Sequence, residues 1–440
     1  MGSGLKVAIV GSGPAGMYTA GALNTKCAGC EIDILDKLAT PYGLIRTGVA
    51  PDHQTTKNVS RAYDKIMENE NVRFVGNIAF GDDISLETLK SLYDVVVMAI
   101  GTPKDKNLGI PGEDKNGIFG AQVFVYWYNG HPEFRAAVPH LEVKNAIVIG
   151  NGNVALDVAR VILKTEGEML SSDLAEHAGD HIFGSPLQTV RIIGRRGAEH
   201  AQFSTKELGE MKDLTSANVM TDGTLIPDKF SSEDAKTEKV VNNNLALMRE
   251  YAQNAPSDDK RSLYLDFRLT PTEILGEDRI TGLKLEKNRI EAGKAIGTGD
   301  FIELPCDLLV TCIGYELTNV GGLPVENGIV KNVDGFVEDG LYVVGWAKRG
   351  PSGTIGTNRL DSQQVVDRIL EDTCGGPDPS KEGAAGLDKY CQTNNISVVS
   401  FEDWRKIDEV EKKRAGEHSP RRKFVRTRDM LTLVREENKE

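Results

Sequence analysis

Cysteine is scarce. Only six occur in 440 residues (Cys27, Cys30, Cys306, Cys312, Cys374 and Cys391), too few for a disulfide scaffold, so a reducing compartment is expected. No apolar run approaches the ~20 residues that a membrane-spanning helix needs. Basic excess is also missing: the net charge of -13 argues against nucleic acid as the main partner. It leaves room for a protein partner, because a local basic patch can sit on an acidic molecule. The first apolar strand starts at Leu5, so no targeting segment is expected ahead of it, although a removed presequence is compatible with the sequence.

Glycine, by contrast, is abundant, with 46 residues, many in loops where the chain turns tightly or the backbone approaches a ligand. At 440 residues the chain exceeds what one hydrophobic core supports and predicts two or three domains. Leu5-Lys-Val-Ala-Ile-Val10 has the length of a buried parallel strand. Gly11-Ser-Gly-Pro-Ala-Gly16 follows at once, then a helix from Met17 and a second strand, Glu31-Ile-Asp-Ile-Leu-Asp36. The same grammar returns at Asn145-Ala-Ile-Val-Ile-Gly150, with a helix beginning in Asn151-Gly-Asn-Val-Ala155. Two such units predict two nucleotide-binding domains.

A second echo suggests how they are joined. Asp94 to Gly101 and Asp307 to Gly314 are both buried-type strands ending in glycine, each followed by a turn-rich stretch. The economical arrangement is an insertion. An outer domain would comprise 1–103 and 315–440 with a C-terminal tail, and an inner one 104–314. Residues 228–262 read as a polar, charged excursion from the inner domain with helical character in the middle, and Lys412 to Arg428 as a basic, loosely ordered stretch. The fold class expected is α/β, with one Rossmann-like dinucleotide-binding domain inserted into another.

In such a unit the first glycine makes the turn and the second lets a pyrophosphate approach. The third lets helix and strand pack closely. Gly11, Gly13 and Gly16 fit these roles, and Asp36 ends the second strand where a carboxylate accepts hydrogen bonds from an adenosine ribose. A lone GxGxxG is weak; this one has its strand, its helix and its acid. It does not by itself choose FAD over NAD. The second loop, Gly150, Gly152 and Ala155, is followed by a strand ending at Gly194, and there Arg195 and Arg196 replace the carboxylate. Paired guanidiniums suit a 2′-phosphate, which points to NADP(H). With two dinucleotide sites the simplest chemistry is hydride transfer between cofactors, with no side-chain nucleophile.

Cys27-Ala-Gly-Cys30 raises the alternative of a redox-active dithiol, as in thioredoxin or glutathione reductases. It falls on the amino-terminal edge of the expected sheet, whereas cofactor crevices lie at the carboxyl edge. Without a second Cys/His pair it is not a zinc site either, and no metal is expected. The pair reads as incidental.

Taken together the motifs resemble the adrenodoxin-reductase type of ferredoxin–NADP reductase, over nearly the whole chain. The resemblance rests on Val10-Gly-Ser-Gly-Pro-Ala-Gly-Met-Tyr-Thr-Ala20, Gly48-Val-Ala-Pro-Asp-His53, Lys57-Asn-Val59, Trp127-Tyr-Asn-Gly130 and Gly150 through Arg160. To these add Gly194-Arg-Arg-Gly197 with Lys206-Glu-Leu208, Gly345-Trp-Ala-Lys-Arg-Gly-Pro-Ser-Gly353 and Val399-Ser-Phe-Glu-Asp-Trp404. It implies FAD contacts at Ala15, Asp36, Leu44 and Phe80, with Trp346 and the Gly353-Thr354-Ile355 backbone beside the flavin ring. It also implies NADPH contacts at Asn151, Gly152, Asn153, Val154, Arg195, Arg196, Glu207 and Gly353, and His53 near the flavin assisting electron or proton movement.

The implied acceptor is a small acidic [2Fe–2S] ferredoxin, and the implied protein a monomer of the mitochondrial matrix, or alternatively of a cytoplasm. Lys206, Lys212, Lys348, Arg349, Arg421, Arg422 and Lys423 are candidates for a basic docking face. Two other readings compete. An electron-input subunit like the small subunit of glutamate synthase would bring a cysteine-rich segment that is missing here. A non-catalytic nucleotide sensor would not need the Gly345-Trp346 segment.

Overall fold

The computed structural model describes residues 4–138 and 141–437; the extreme ends of the expected outer segments (1–3 and 438–440), and residues 139–140 of the inner one, lie outside it. Its short apolar runs become buried parallel strands. Lys6–Val10 pairs with Glu31–Asp36 on one side and Val95–Met98 on the other. Val72–Gly76 extends the first side and Leu341–Val343 the second, with Phe336–Glu338 antiparallel at the edge. Strand order therefore reverses at Lys6–Val10, the strand that feeds the first glycine loop, and a ligand crevice opens at the carboxyl ends beside such a reversal.

The second sheet repeats this plan. Asn145–Ile149 lies between Thr189–Gly194 and Leu308–Thr311. Arg261–Phe267, Ala217–Thr221 and Ile118–Gly120 complete six parallel strands. The two echoing segments, Asp94–Gly101 and Asp307–Gly314, thus supply the strand that flanks each nucleotide-loop strand. The first sheet draws on both ends of the chain and the second on its middle. Where the chain crosses between them, Lys104–Asp105 and Tyr315–Glu316 pair as antiparallel neighbours. The expected α/β fold with two Rossmann-like units is present. A three-stranded antiparallel sheet (Leu269–Leu275, Gly282–Glu291 and Lys294–Pro305) covers one face of the second sheet through Ile274, Leu283 and Leu285 against Ile147, Ile193 and Leu309.

Three expectations need correction. Residues 228–262 are not an excursion. The helical middle expected there is present as Ala235–Tyr251, but it packs inward, burying Leu245, Met248 and Tyr251, and Arg261–Phe267 is an interior strand of the second sheet. Its polar residues alternate with buried Leu263, Leu265 and Phe267, and one of them, Asp266, is paired with Arg191 at 2.8 Å. Nor are Cys27 and Cys30 an incidental pair. They are disulfide-bonded, with Cα atoms 5.6 Å apart, on the turn between the helix Pro14–Lys26 and the strand Glu31–Asp36. That turn is at the sheet edge opposite the glycine loop.

The third correction concerns Lys412 to Arg428, which is pinned. Glu411, fully buried, accepts from Arg46 at 2.9 Å and from the Phe424 N–H at 2.8 Å. Lys423 reaches Asp173 at 3.1 Å and the carbonyls of Arg46 and Asn129, each at 3.1 Å. Among the described residues no helix is long and apolar enough to cross a membrane.

Candidate active site

The two glycine loops are built on the same plan. Gly11 N–H donates to Leu35 at 2.7 Å and Gly150 N–H to Ile193 at 2.9 Å. Both residues have positive φ (110° and 139°). A β-carbon on Gly11 would lie 2.5 Å from the Ala99 carbonyl, and one on Gly150 2.2 Å from that of Cys312. The first glycine is thus required by its flanking strand. The second is different: a β-carbon on Gly13 or on Gly152 would meet no atom within 4 Å. Each of these is also the N-cap of its helix, Pro14–Lys26 and Asn153–Leu163, and neither helix has a side-chain cap. Open space beside uncapped amides at a positive helix end fits a pyrophosphate in both places.

Around the first loop Asp36, Ala15, the turn before Leu44 and the turn before Trp346 come together. Asp36 accepts from Ser12 N–H at 2.9 Å, Ser12 Oγ at 2.5 Å and Leu38 N–H at 2.9 Å. Burial nevertheless pushes its carboxyl above the usual range, so further donors such as ribose hydroxyls would favour its ionised form. Gly43, just before Leu44, lies against Gly13, where a β-carbon would come within 2.9 Å of the Gly13 Cα. The C-terminal part returns to the same place. A β-carbon on Gly345 would come within 2.6 Å of that of Ala15, Ser362 Oγ donates to the Ala15 carbonyl at 3.1 Å, and Asp361 accepts from Gly345 N–H at 2.7 Å.

Trp346 follows, half-buried, its indole N–H donating to Ser352 at 3.2 Å and its ring stacked on Tyr315 at 5.9 Å between centroids. Gly353 and Thr354 are exposed and Ile355 is half-buried, ahead of the helix Thr357–Asp372. Phe80 sits in the turn beyond Val72–Gly76, packed under Gly321.

Around the second loop Asn151 lies across Gly194, Asn153 accepts from Ser204 N–H at 2.8 Å, and Val154 packs on the inner core. Arg195 is exposed and Arg196 half-buried; among the described residues no ion pair or hydrogen bond reaches either guanidinium. His53, from the outer part of the chain, meets this unit. Its Nε2 is 2.8 Å from Glu210 and 3.3 Å from Glu207, and its Nδ1 is 3.8 Å from Asp157. Beneath it Asp52 receives a two-pronged Arg160 at 2.8 and 3.0 Å and Lys164 at 2.8 Å; Arg160 is 1% exposed. A cavity of about 210 Å³ opens beside these groups.

The two glutamates differ in proton affinity. Burial, reinforced by Asp157, raises the Glu207 carboxyl. Burial also opposes ionisation of Glu210, but its hydrogen bond to His53 and the charges of His53 and Arg160 outweigh it and hold the carboxyl low. Two carboxylates whose surroundings push their proton affinities apart, both beside one imidazole, suit a proton relay.

Sequence reasoning missed Glu210, Asp157, Arg160 and Tyr315. Glu210 stands three residues beyond Glu207, and Arg160 three beyond Asp157, a spacing that keeps each pair on one helical face; that signal was present. The docking candidates divide. Lys423 is buried, Lys348 is paired with Asp361 at 2.9 Å, and Arg421 is held by Asp408 and Glu411. These three neutralise internal carboxylates and are withdrawn as an outer face. Lys206 is 67% exposed, and Lys212 and Arg422 are exposed too, each in a solvent-screened pair with a carboxylate (Glu210, Glu250 and Glu176). Arg349 is half-buried and donates to Asn358 Oδ1 at 3.0 Å.

An α/β chain with two dinucleotide loops on separate sheets and unpaired arginines beside the second defines a pyridine-nucleotide-dependent oxidoreductase. In agreement, the family model described as pyridine nucleotide-disulphide oxidoreductase matches residues 5–202. The chain is 39% identical to the mitochondrial NADPH:adrenodoxin oxidoreductase of Arabidopsis thaliana, over 98% of this chain and 95% of that protein. It is 36% identical to the NADPH-ferredoxin reductase FprA of Mycobacterium leprae, over 97% and 98%. The structure of Mycobacterium tuberculosis FprA in complex with NADPH superposes with a TM-score of 0.91 at 35% identity, covering 98% of this chain and 99% of that one. The chain belongs to the family of NADPH:adrenodoxin oxidoreductases and NADPH-ferredoxin reductases.

Proposed function

We propose that this protein is an FAD-dependent NADPH:ferredoxin reductase, taking hydride from NADPH and giving single electrons to a small acidic [2Fe–2S] ferredoxin. The observation that carries the reading is the pair of like-built glycine loops on two sheets, with Arg195 and Arg196 unpaired beside only the second. FAD would be held by Gly11, Gly13, Ala15, Gly16, Asp36 and Leu44, with Phe80 at the margin and the Gly353–Ile355 backbone near its ring. NADPH would lie along Asn151 to Val154, Arg195, Arg196 and Glu207, and against Gly353. When bound, FAD supplies the conversion between two-electron and one-electron transfer that side chains cannot perform.

The protein's own groups supply position and protons. Trp346, braced on Tyr315 and Ser352, shields the site from water. Glu207 stands 3.3 Å from His53 Nε2, where burial raises its proton affinity, while Glu210, 2.8 Å away, holds the imidazole in place. Lys206, Lys212 and Arg422 offer positive charge to an acidic partner.

Domain limits at 103/104 and 314/315 are part of this reading, supported by the pairing of Lys104–Asp105 with Tyr315–Glu316. A monomeric state is a further part, checked by sedimentation. A mitochondrial location, in the matrix, is proposed: the Arabidopsis and mammalian relatives are named mitochondrial, the FprA relatives are not, and the matrix is the expectation from the family resemblance; microscopy of the tagged protein in its own cells checks it.

The test is direct. Purified protein should be yellow and bleach with NADPH, and cytochrome c reduction should rise on adding a [2Fe–2S] ferredoxin. A colourless protein that FAD cannot reconstitute ends the flavoprotein reading, and absence of ferredoxin stimulation ends the acceptor reading.

A further inference from the structure

Left-handed backbone is uncommon for residues with large side chains. Among the described residues it is adopted by seven that are not glycine. Four are Asn or Asp, which tolerate it, and Ala292 lies in the hairpin turn before Gly293. The other two are bulky: Tyr42 (φ 82°) and Arg268 (φ 59°). Tyr42, in the segment after the strand Glu31–Asp36, lies against the first nucleotide loop, where its N–H donates to Ser12 Oγ at 3.2 Å. Arg268 stands at the second.

Its position follows from strand register. Phe267 is aligned with Gly194 in adjacent parallel strands, so Arg268 and Arg195 leave the carboxyl edge of the sheet side by side. The backbones are then tied together. Arg268 N–H donates to the Arg196 carbonyl at 3.0 Å, Asn288 Nδ2 to the Arg195 carbonyl at 2.8 Å, and Asn288 N–H to the Arg268 carbonyl at 2.8 Å. The Arg268 side chain is half-buried, yet among the described residues no group satisfies its guanidinium, and its Nε is shut from solvent without a partner. A buried, unsatisfied charged donor on strained backbone is costly for folding, and such costs are kept where a ligand uses them.

We infer that Arg268 is a third arginine of the adenosine 2′-phosphate subsite and helps this protein choose NADPH over NADH. The inference rests on the reading that Arg195 and Arg196 hold that phosphate. Three guanidiniums around one dianion supply charge-assisted hydrogen bonds from two strands instead of one. The site then grips the phosphate from both sides.

The test measures binding of two fragments to the FAD-loaded protein by calorimetry: adenosine 2′,5′-bisphosphate, which carries the 2′-phosphate, and 5′-AMP, which lacks it. Arg268→Gly should weaken the bisphosphate about tenfold, the loss of one charge-assisted bond, and leave 5′-AMP within about twofold. Because glycine accepts φ 59° without strain, the variant's Tm should hold or rise. Arg268→Lys should recover part of the bisphosphate affinity. A fall in Tm with both fragments unaffected, or weakened equally, would assign Arg268 a purely structural role and overturn the inference. The double variant Arg195→Ala with Arg196→Ala separates the two levels. If it too spares the bisphosphate, the underlying placement of the 2′-phosphate fails; if it weakens the bisphosphate while Arg268→Gly does not, only the role of Arg268 fails.

Discussion

Adding one β-carbon separates the two kinds of glycine in these loops. At Gly150 it would require both an unfavourable φ and a 2.2 Å approach to the Cys312 carbonyl. Gly150→Ala should therefore destabilise the fold itself by roughly 2–4 kcal/mol, seen as a lowered melting temperature with or without nucleotide. Gly152 is extended (φ −119°) and faces open space, so Gly152→Ala should melt like the parent without NADPH and lose NADPH affinity in a titration. Equal melting losses for the two variants would contradict this division. The glycines were legible in sequence because their function is carried by backbone spacing. Tyr42 and Arg268 were not, since a left-handed φ in a bulky residue leaves no mark on composition or periodicity. Lys423 was misread because a lysine that neutralises a buried carboxylate looks, in a string of letters, like any surface cation.

At the scale of elements, the contact between the Pro51–His53 segment and the helix Asn153–Leu163 places His53 beside Glu207. Asp52 and Asp157 both lean on Arg160 and respond oppositely to pH. Burial works against the Asp52 charge, but the Arg160 fork and Lys164 prevail and hold its carboxyl well below the usual range. Asp157 keeps one Arg160 contact at 2.8 Å; burial, with Asp52 and Glu210 nearby, pushes it up to about 6. The folded state thus binds a proton at Asp157 more readily than the unfolded chain does. Stability from this residue is greatest in acid and declines as pH rises through about 6, whereas that from Asp52 is present at neutral pH and lost in strong acid.

Asp157→Asn should accordingly flatten the slope of unfolding free energy between about pH 4 and 6 and raise stability at pH 7, on the order of 2 kcal/mol. Urea midpoints across that range check it; an unchanged slope would mean that Asp157 is ionised throughout. The carrying helix was legible from the repeated order of strand, glycine loop and helix, but not its junction with a segment some hundred residues earlier. Arg261–Phe267 was lost for a similar reason. Its polar face is satisfied by tertiary pairing, which a local reading registers only as polarity.

For the molecule as a whole, the C-terminal tail fastens the two sheets to each other. Lys423 touches Arg46 from the outer part and Asn129 and Asp173 from the inner. Burial opposes the Asp173 charge, yet Lys423 and Lys57 keep its carboxyl at about 2. Lys423→Met leaves Asp173 with a single buried partner and should cost about 3–5 kcal/mol, read as a lower urea midpoint; an unchanged midpoint would show that Lys57 alone suffices. The overall plan was legible because the β-loop-helix unit occurs twice and the echoing strands announce the crossings. What sequence could not supply was the closure of that plan by charges far apart in the chain.

The stacked rings of Tyr315 and Trp346 have an optical consequence. Tyr315 belongs to a crossing strand and Trp346 to the turn after the strand Leu341–Val343, so the stack stands where the chain passes between the sheets. An indole there is a built-in optical probe, with no label added to the protein: the change in emission on adding NADPH should shrink in Trp346→Phe, and an equal change in parent and variant would place the responding indole elsewhere.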